Sequence, residues 1–300
     1  MLSSVTVRGR ICTRNHHELE FQVGTVSHKN RMFALRLLLL LAMGLASGKS
    51  LLTWEEFKRV FHKSYVNEEF ELMHRSHFHE NERYISRRNA EQNSFTLGIN
   101  HLADLNEEQY RSFLSLHIPS RQRNPAFLNR TASESIDWRT QNAVSEVKNQ
   151  GQCGSCWAFA TVGSVEGHYA IATGSLRSLS EQQLVDCTTS NKGCLGGNID
   201  LAFRYIINNH GIDDEGDYPY VGDGSSCDAD RSTRIAARIQ SYADVPPNSE
   251  EEMLKAISLG PVAVAIEADQ KDFQLYKSGV FDAPCGSKLG TYVTWSYVDG

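Results

Sequence analysis

The stretch NQGQCGSCWAF, residues Asn149 to Phe159, sets two cysteines three apart immediately before an aromatic run. Several chemistries use that spacing. A zinc clamp needs about four ligands around a tetrahedron, and the chain has no second Cys-x-x-Cys and no nearby histidine pair. A redox pair opens a helix after a βαβ-type strand, and the upstream Val144-Ser145-Glu146-Val147-Lys148 is poor material for one. Two structural cysteines are the plain alternative, and the cysteine count speaks against it. The remaining reading is a nucleophile at a helix N-terminus, where aligned backbone dipoles favour the thiolate.

The cysteines after the linker are Cys153, Cys156, Cys187, Cys194, Cys227 and Cys285. If Cys156 stays a thiol, five remain, and five cannot all pair within the chain. Spacing alone leaves the pairing open.

Upstream, Met32 to Gly48 (MFALRLLLLLAMGLASG) has a short cationic start, an apolar run and small residues at its end. The run is shorter than the ~20 residues that span a bilayer and reads as a secretory signal peptide. Signal peptides begin chains, so Met32 is the expected start, and residues 1–31 are expected to be an N-terminal extension that is an artefact of the gene model. A secretory route would carry the protein to a lysosome or out of the cell.

Charge divides the remainder. Residues 49–132 carry 12 basic and 11 acidic side chains, residues 133–300 carry 12 and 23. The overall balance of -6 gives no reason to expect nucleic acid as a partner, and the asymmetry suggests two segments with different work. The first reads as helical, with Trp54, Phe57, Val60 and Phe61 on one face. Pro119 to Arg130 is a polar linker, and Asn129-Arg130-Thr131 within it is a glycosylation sequon. In the second, Ser155 is placed to cap a helix from Cys156 to about Ala172. Ser180 with Gln183 boxes another ending near Cys187, and Ile199 to Asn209 is a third. Strands follow at Ile235–Val245 and Val262–Ala268, with a short helix boxed by Ser249 and Glu252 between them. Helices first and strands later indicate an α+β fold.

The motif at Gln150-Gly151-Gln152-Cys153-Gly154-Ser155-Cys156-Trp157 resembles the active-site signature of papain-like cysteine peptidases of the cathepsin L type. Further stretches resemble the family over about Trp54 to Leu289. These are Asp137-Trp138-Arg139, Gly193-Cys194-Leu195-Gly196-Gly197, Asp217-Tyr218-Pro219-Tyr220, Gly260-Pro261-Val262-Ala263-Val264 and Tyr276-Lys277-Ser278-Gly279-Val280-Phe281. Residues 49–132 are similar to the family's inhibitory propeptide. Its helical pattern of Glu, Arg, Phe, Asn, Ile and Asn is met here by Phe70, His74, Phe78, Asn81, Ile85 and Asn89, so the first two positions depart. Gly98, Asn100, Leu102 and Asp104 resemble its second motif.

The resemblance implies a two-lobed papain-like fold for residues 133–300, preceded by a helical propeptide. It implies Cys156 as nucleophile and Gln150 as a side-chain donor to the oxyanion, beside the Cys156 N–H. It implies disulfides Cys153–Cys194 and Cys187–Cys227. Gly196 and Gly197 would present backbone to an extended peptide, and Ile199 and Ala265 would line the pocket for the second residue before the cut. Peptide or protein substrates and the chain's own propeptide in the cleft are the implied partners, without metal, organic cofactor or stable membrane association.

The family places a histidine after a Pro-Cys-Gly segment and an asparagine beyond it. Here Thr291 stands at the histidine position, no histidine follows His210, and no asparagine follows Asn248. His168 lies twelve residues along the helix that Cys156 opens, ~18 Å away. It reads, with His210, as a surface or packing residue. His74, His77 and His79 read as solvated face. A thiol of pKa ~8.5 is about one part in a thousand ionised at pH 5.5, and losing a triad member costs on the order of a thousandfold in rate. The chain as it stands is therefore expected to be inactive, through an incomplete or aberrantly spliced reading frame. The alternative is a non-catalytic relative or a propeptide-type inhibitor.

Overall fold

The structure, a computed structural model, describes residues 3–7, 52–92, 94–112, 114, 131–246, 249–279, 281–284, 286, 290–295 and 297–298. The signal-like segment, the linker with its sequon, Cys12 and Cys285 lie outside the described residues. The chain forms two compact units. One comprises Phe21–Tyr110 with Gln270–Phe281, the other Met1–Glu20, Arg111–Asp269 and Asp282–Gly300. The fold is α+β and papain-like.

In the first unit, Thr53 caps the helix Trp54–Val60 and its hydroxyl closes a reciprocal box with Glu56. Asn67 caps the 24-residue helix Glu68–Glu91 through the Phe70 N–H. The two helices meet through aromatic rings: Phe78 is fully buried, 4.8 Å from Phe57 and 5.5 Å from Trp54, centroid to centroid. Val60, expected on the buried face, is instead exposed at the end of its short helix. Asn81 and Asn89 spend their amides on backbone outside the long helix. Asn81 donates to the carbonyls of Ala103 and Leu105, and Asn89 bonds both the N–H and the carbonyl of Leu97.

The segment Gln270–Phe281 belongs to this unit through specific bonds. The strand Tyr276–Gly279 pairs antiparallel with Phe95–Leu97. Asp272, at the start of the short helix Lys271–Gln274, receives two nitrogens of Arg88 and the hydroxyl of Tyr84 at 2.7 Å. Gln274 donates to the carbonyls of Leu102 and Leu105.

The second unit is built on the helix Cys156–Thr173, closed by Gly174 in the left-handed region at φ 74°. Helices Glu181–Cys187 and Ile199–Asn208 pack on it around a core of Trp157, Val162, Leu179, Leu184, Phe203 and Ile206 among others, and a further helix spans Glu250–Ile257. Ser180 and Ser249 each accept from the N–H three residues on. The Gln183 side chain does not return to complete a box; it bonds Asp213 N and the Ser232 carbonyl instead.

A four-stranded sheet runs Ser241–Val245, Ser3–Val7, Val262–Ile266, Thr291–Trp295. The strand Ser3–Val7, in the segment read as an N-terminal extension from sequence, lies parallel to both neighbours. Thr291–Trp295 is antiparallel to Val262–Ile266 and packs against the Cys156 helix.

Candidate active site

Cys156 is the first residue of an eighteen-residue helix and its thiol is in no disulfide. Four neighbours of the second unit are bonded as Cys153–Cys194 and Cys187–Cys227, with S–S distances of 2.01 and 2.02 Å. The first bridge ties the turn before the nucleophile to the Gly193–Leu195 turn. Gly154 N–H donates to the Cys194 carbonyl at 2.8 Å, and Trp157 Nε1 donates to the Gly193 carbonyl at 3.1 Å. Two glycines are needed in that wall. Gly196 sits at φ 105°, and a Cβ on Gly197 would lie 2.7 Å from the Trp157 ring.

Gln150 Nε2 donates to the Cys153 carbonyl at 2.8 Å, folding its side chain back over the nucleophile turn. Ser155 occupies the N-cap with ψ 16°, not the extended backbone a side-chain cap requires, and makes no cap bond. Its hydroxyl instead lies 2.7 Å from Tyr220 Oη. Sequence reasoning had no access to this partner, which is 65 residues away. Ile199 and Ala265 are 0% and 1% exposed and share one core with Cys153 and Cys156.

The histidines divide. His168 is buried; burial lowers its pKa to about 4 against a bond to the Pro261 carbonyl, and its Nε2 meets no donor or acceptor. The ring rests on Gly260, where a Cβ would approach it to 2.7 Å. His210 lies just past the end of Ile199–Asn208 at φ 60°. His74, read as solvated, is buried with Nδ1 2.8 Å from the Asp104 carbonyl. His74 lies four residues from Phe78 on the same helix and turns inward with it. Thr291 is buried at the start of its strand, opposite Ile266.

Beside the nucleophile helix lies a cluster of charge. Lys148 Nζ is 2.8 Å from Glu166 Oε1, 2.8 Å from Glu181 Oε1 and 3.1 Å from the Leu179 carbonyl. Burial opposes the lysine's charge, but Glu181 and Glu166 override it and hold its pKa above the usual value. Burial pushes Glu181 up to about 8 despite Lys148. Among the described residues no group of acidic, histidine or cysteine side chains is arranged to hold a metal, and no helix is long and apolar enough to cross a membrane.

A thiol heading a helix, with the turn before it bridged through Cys153–Cys194 to a glycine wall and a separate helical unit upstream, is the architecture of a thiol-protease proform. Residues 132–296 match the family described as papain family cysteine protease, and residues 54–110 match the cathepsin propeptide inhibitor domain. The chain belongs to the papain family of cysteine proteases. It is 48% identical over 219 residues to a probable cysteine protease, RD21B, of Arabidopsis thaliana, covering 71% of this chain and 47% of that one. It is 39% identical over 271 residues to cysteine proteinase 5 of Dictyostelium discoideum, covering 86% and 78%. The digestive procathepsin L 3 structure of Tenebrio molitor larval midgut superposes with TM-score 0.74 at 38% identity, covering 80% and 81%. The chain spans about half the length of the Arabidopsis relatives RD21B and RD21A.

Proposed function

We propose that the chain is the zymogen of a cysteine endopeptidase in which Cys156 attacks a peptide carbonyl to form a thioester that water then hydrolyses. The observation that carries this is the Cys156 thiol at the head of its helix while the other described cysteines are all bridged. An amide nitrogen has two hydrogens, so Gln150 Nε2 can keep the Cys153 carbonyl and still donate to an oxyanion beside the Cys156 N–H. Gly196 and Gly197 offer backbone to an extended substrate, and Ile199 and Ala265 floor an apolar pocket. Residues 49–132 are the inhibitory propeptide, and the route is secretory, to a lysosome or outside the cell.

Thr291 favours a second reading. Where the family has its histidine this chain has Thr291, and on this reading it serves as a non-catalytic relative or an inhibitor. Hydrolysis of a fluorogenic peptide by the acid-treated full chain, Cys156→Ser and Thr291→His separates the two. The second reading expects a wild-type rate within about tenfold of Cys156→Ser and a gain of at least about tenfold in Thr291→His. A high wild-type rate abolished by Cys156→Ser removes the non-catalytic reading. A rate that survives Cys156→Ser removes Cys156 as nucleophile.

A further inference from the structure

Tyr220 touches both residues that flank the nucleophile turn. Its hydroxyl donates to the Gln150 carbonyl at 2.8 Å and lies 2.7 Å from Ser155 Oγ. A phenol has one hydrogen, so with that hydrogen on Gln150 the serine is the donor to the tyrosine oxygen. Its ring meets Phe159, three residues into the nucleophile helix, edge to face at 4.9 Å. From the other side, the Tyr220 N–H donates to Glu215 Oε1 at 2.8 Å.

Glu215 in turn interacts with Glu181, whose charge it disfavours. Glu181 Oε2 and Glu215 Oε2 are both buried, and neither meets a hydrogen-bond donor. Two carboxylates cannot donate to each other, so the contact is a hydrogen bond only while one proton is shared between them. The groups facing the pair are Lys148 and Glu166, and Lys148 is the single cation among three carboxyls.

We propose that Tyr220 is a positioning residue for the nucleophile turn, and that through Glu215 it couples that turn to the proton shared by Glu181 and Glu215. The proposal rests on the reading of Cys156 as nucleophile. While the proton is present, Glu215 stays against Glu181 and holds the Tyr220 N–H, and the hydroxyl pins Gln150 and Ser155. When it is lost, two anions repel, Glu215 withdraws as the less buried partner, and the turn from Gln150 to Cys156 loosens. Burial raises the pKa of both carboxyls, Glu181 to about 8. The closed state is therefore favoured in acid and fails as pH rises through that value.

The test is alkylation of Cys156 by iodoacetamide in the full chain, read by mass spectrometry on its own peptide. Wild type, Tyr220→Phe and Glu215→Gln are compared from about pH 5 to about pH 8.5. Glu215→Gln keeps an oxygen for the Tyr220 N–H and offers Glu181 an N–H at every pH, so it imitates the proton-sharing state. The rate ratio of wild type to Glu215→Gln should be near one in acid and rise at least about threefold at the alkaline end. Tyr220→Phe, which keeps the ring, should react at least about threefold faster than wild type in acid. A ratio constant with pH overturns the coupling, and wild-type reactivity in Tyr220→Phe overturns the positioning role. If Tyr220→Phe fails to fold, the Glu215→Gln ratio still decides the coupling. The readout needs no peptide hydrolysis, so a chain without proteolytic activity still answers. A Cys156 that resists alkylation in every chain at every pH overturns the nucleophile reading as well.

Discussion

Each unit buries a charged cluster, and the two are built with opposite excess. In the helical unit one carboxylate, Asp104, is surrounded by donors. Lys63 Nζ and Tyr65 Oη lie 2.9 Å from its oxygens, and His74 Nδ1 is 3.4 Å away. In the unit that carries Cys156, one ammonium, Lys148, is surrounded by carboxyls: Glu166, Glu181 and, through Glu181, Glu215. A buried charge is tolerated when paired and penalised when left over. The leftovers differ in kind. Around Asp104 they are hydrogen-bond donors, and burial and then Asp104 push the Tyr65 phenol above its ordinary range. Around Lys148 they are negative charges that only a proton can remove. The first cluster is a fixed clamp, the second a proton-dependent one.

The sharpest way to break this contrast is to delete the lone ammonium. Lys148→Met fills similar volume but leaves Glu166 and Glu181 without a cation. Breaking a buried pair by removing one partner costs about 3–5 kcal/mol, and a loss of about 4 kcal/mol is expected near neutral pH. Glu181 has a folded pKa raised above its unfolded value. The penalty for its charge is therefore largest in alkali and vanishes as pH falls toward the ordinary carboxylate range. Urea unfolding at about pH 9 and about pH 5 should show a smaller Lys148→Met loss in acid, because Glu181 carries its charge only above its raised pKa of about 8. Equal losses at both would make the cluster a fixed clamp too.

Deleting the lone carboxylate is the next largest test. Asp104→Ala removes the acceptor shared by Lys63 and Tyr65, for an expected loss of about 3 kcal/mol. Lys63 is partly exposed and recovers some water contact, which places the value at the low end. The effect should stay local. Hydrogen exchange should rise across the end of Glu68–Glu91 nearest His74 and across the Ala103–Leu105 carbonyl turn that Asn81 grips. Exchange in the Cys156–Thr173 helix should be unchanged. A rise spread evenly over both units would show that the clusters do not act separately.

Much of this was legible from residue spacing, and the exceptions follow one rule. The nucleophile helix, its stop at Gly174 and the short helices after Ser180 and Ser249 are local features fixed by neighbours within four residues. Phe78, Asn81 and Asn89 show at their helical spacing because each turns the same way from one helix. What spacing does not carry is who meets whom at a distance. Tyr220 reaches Gln150 and Ser155 across 70 and 65 residues, and Arg88 reaches Asp272 across 184. The assignment of Gln270–Phe281 to the helical unit rests on such pairs. So does the burial of His74, whose ring bonds the Asp104 carbonyl 30 residues on. The strand Ser3–Val7 reads locally as β-branched, yet its place between Ser241–Val245 and Val262–Ile266 has no local mark.

The smallest predicted effect tests the same rule at two serines that look alike in sequence. Both precede a helix. Ser180 is a working cap: its buried hydroxyl accepts from Gln183 N at 3.0 Å and donates to the Tyr218 carbonyl at 2.6 Å. Ser180→Ala strands both groups and should cost about 1–2 kcal/mol. Ser155 caps nothing with its side chain, because at ψ 16° the hydroxyl points away from the orphan N–H groups of its helix. Ser155→Ala removes the bond to Tyr220, whose own hydrogen stays on the Gln150 carbonyl, and a long 3.4 Å contact with the Cys153 carbonyl. Its cost should be about 0.5 kcal/mol, with the circular dichroism of the helix unchanged. The order would reverse if helix position alone set the value of a serine, since Ser155 heads eighteen residues and Ser180 only seven. Matched thermal melts of the two variants decide it: a larger loss at Ser155 would mean that its link to Tyr220 carries more of the unit's stability than one hydroxyl pair accounts for.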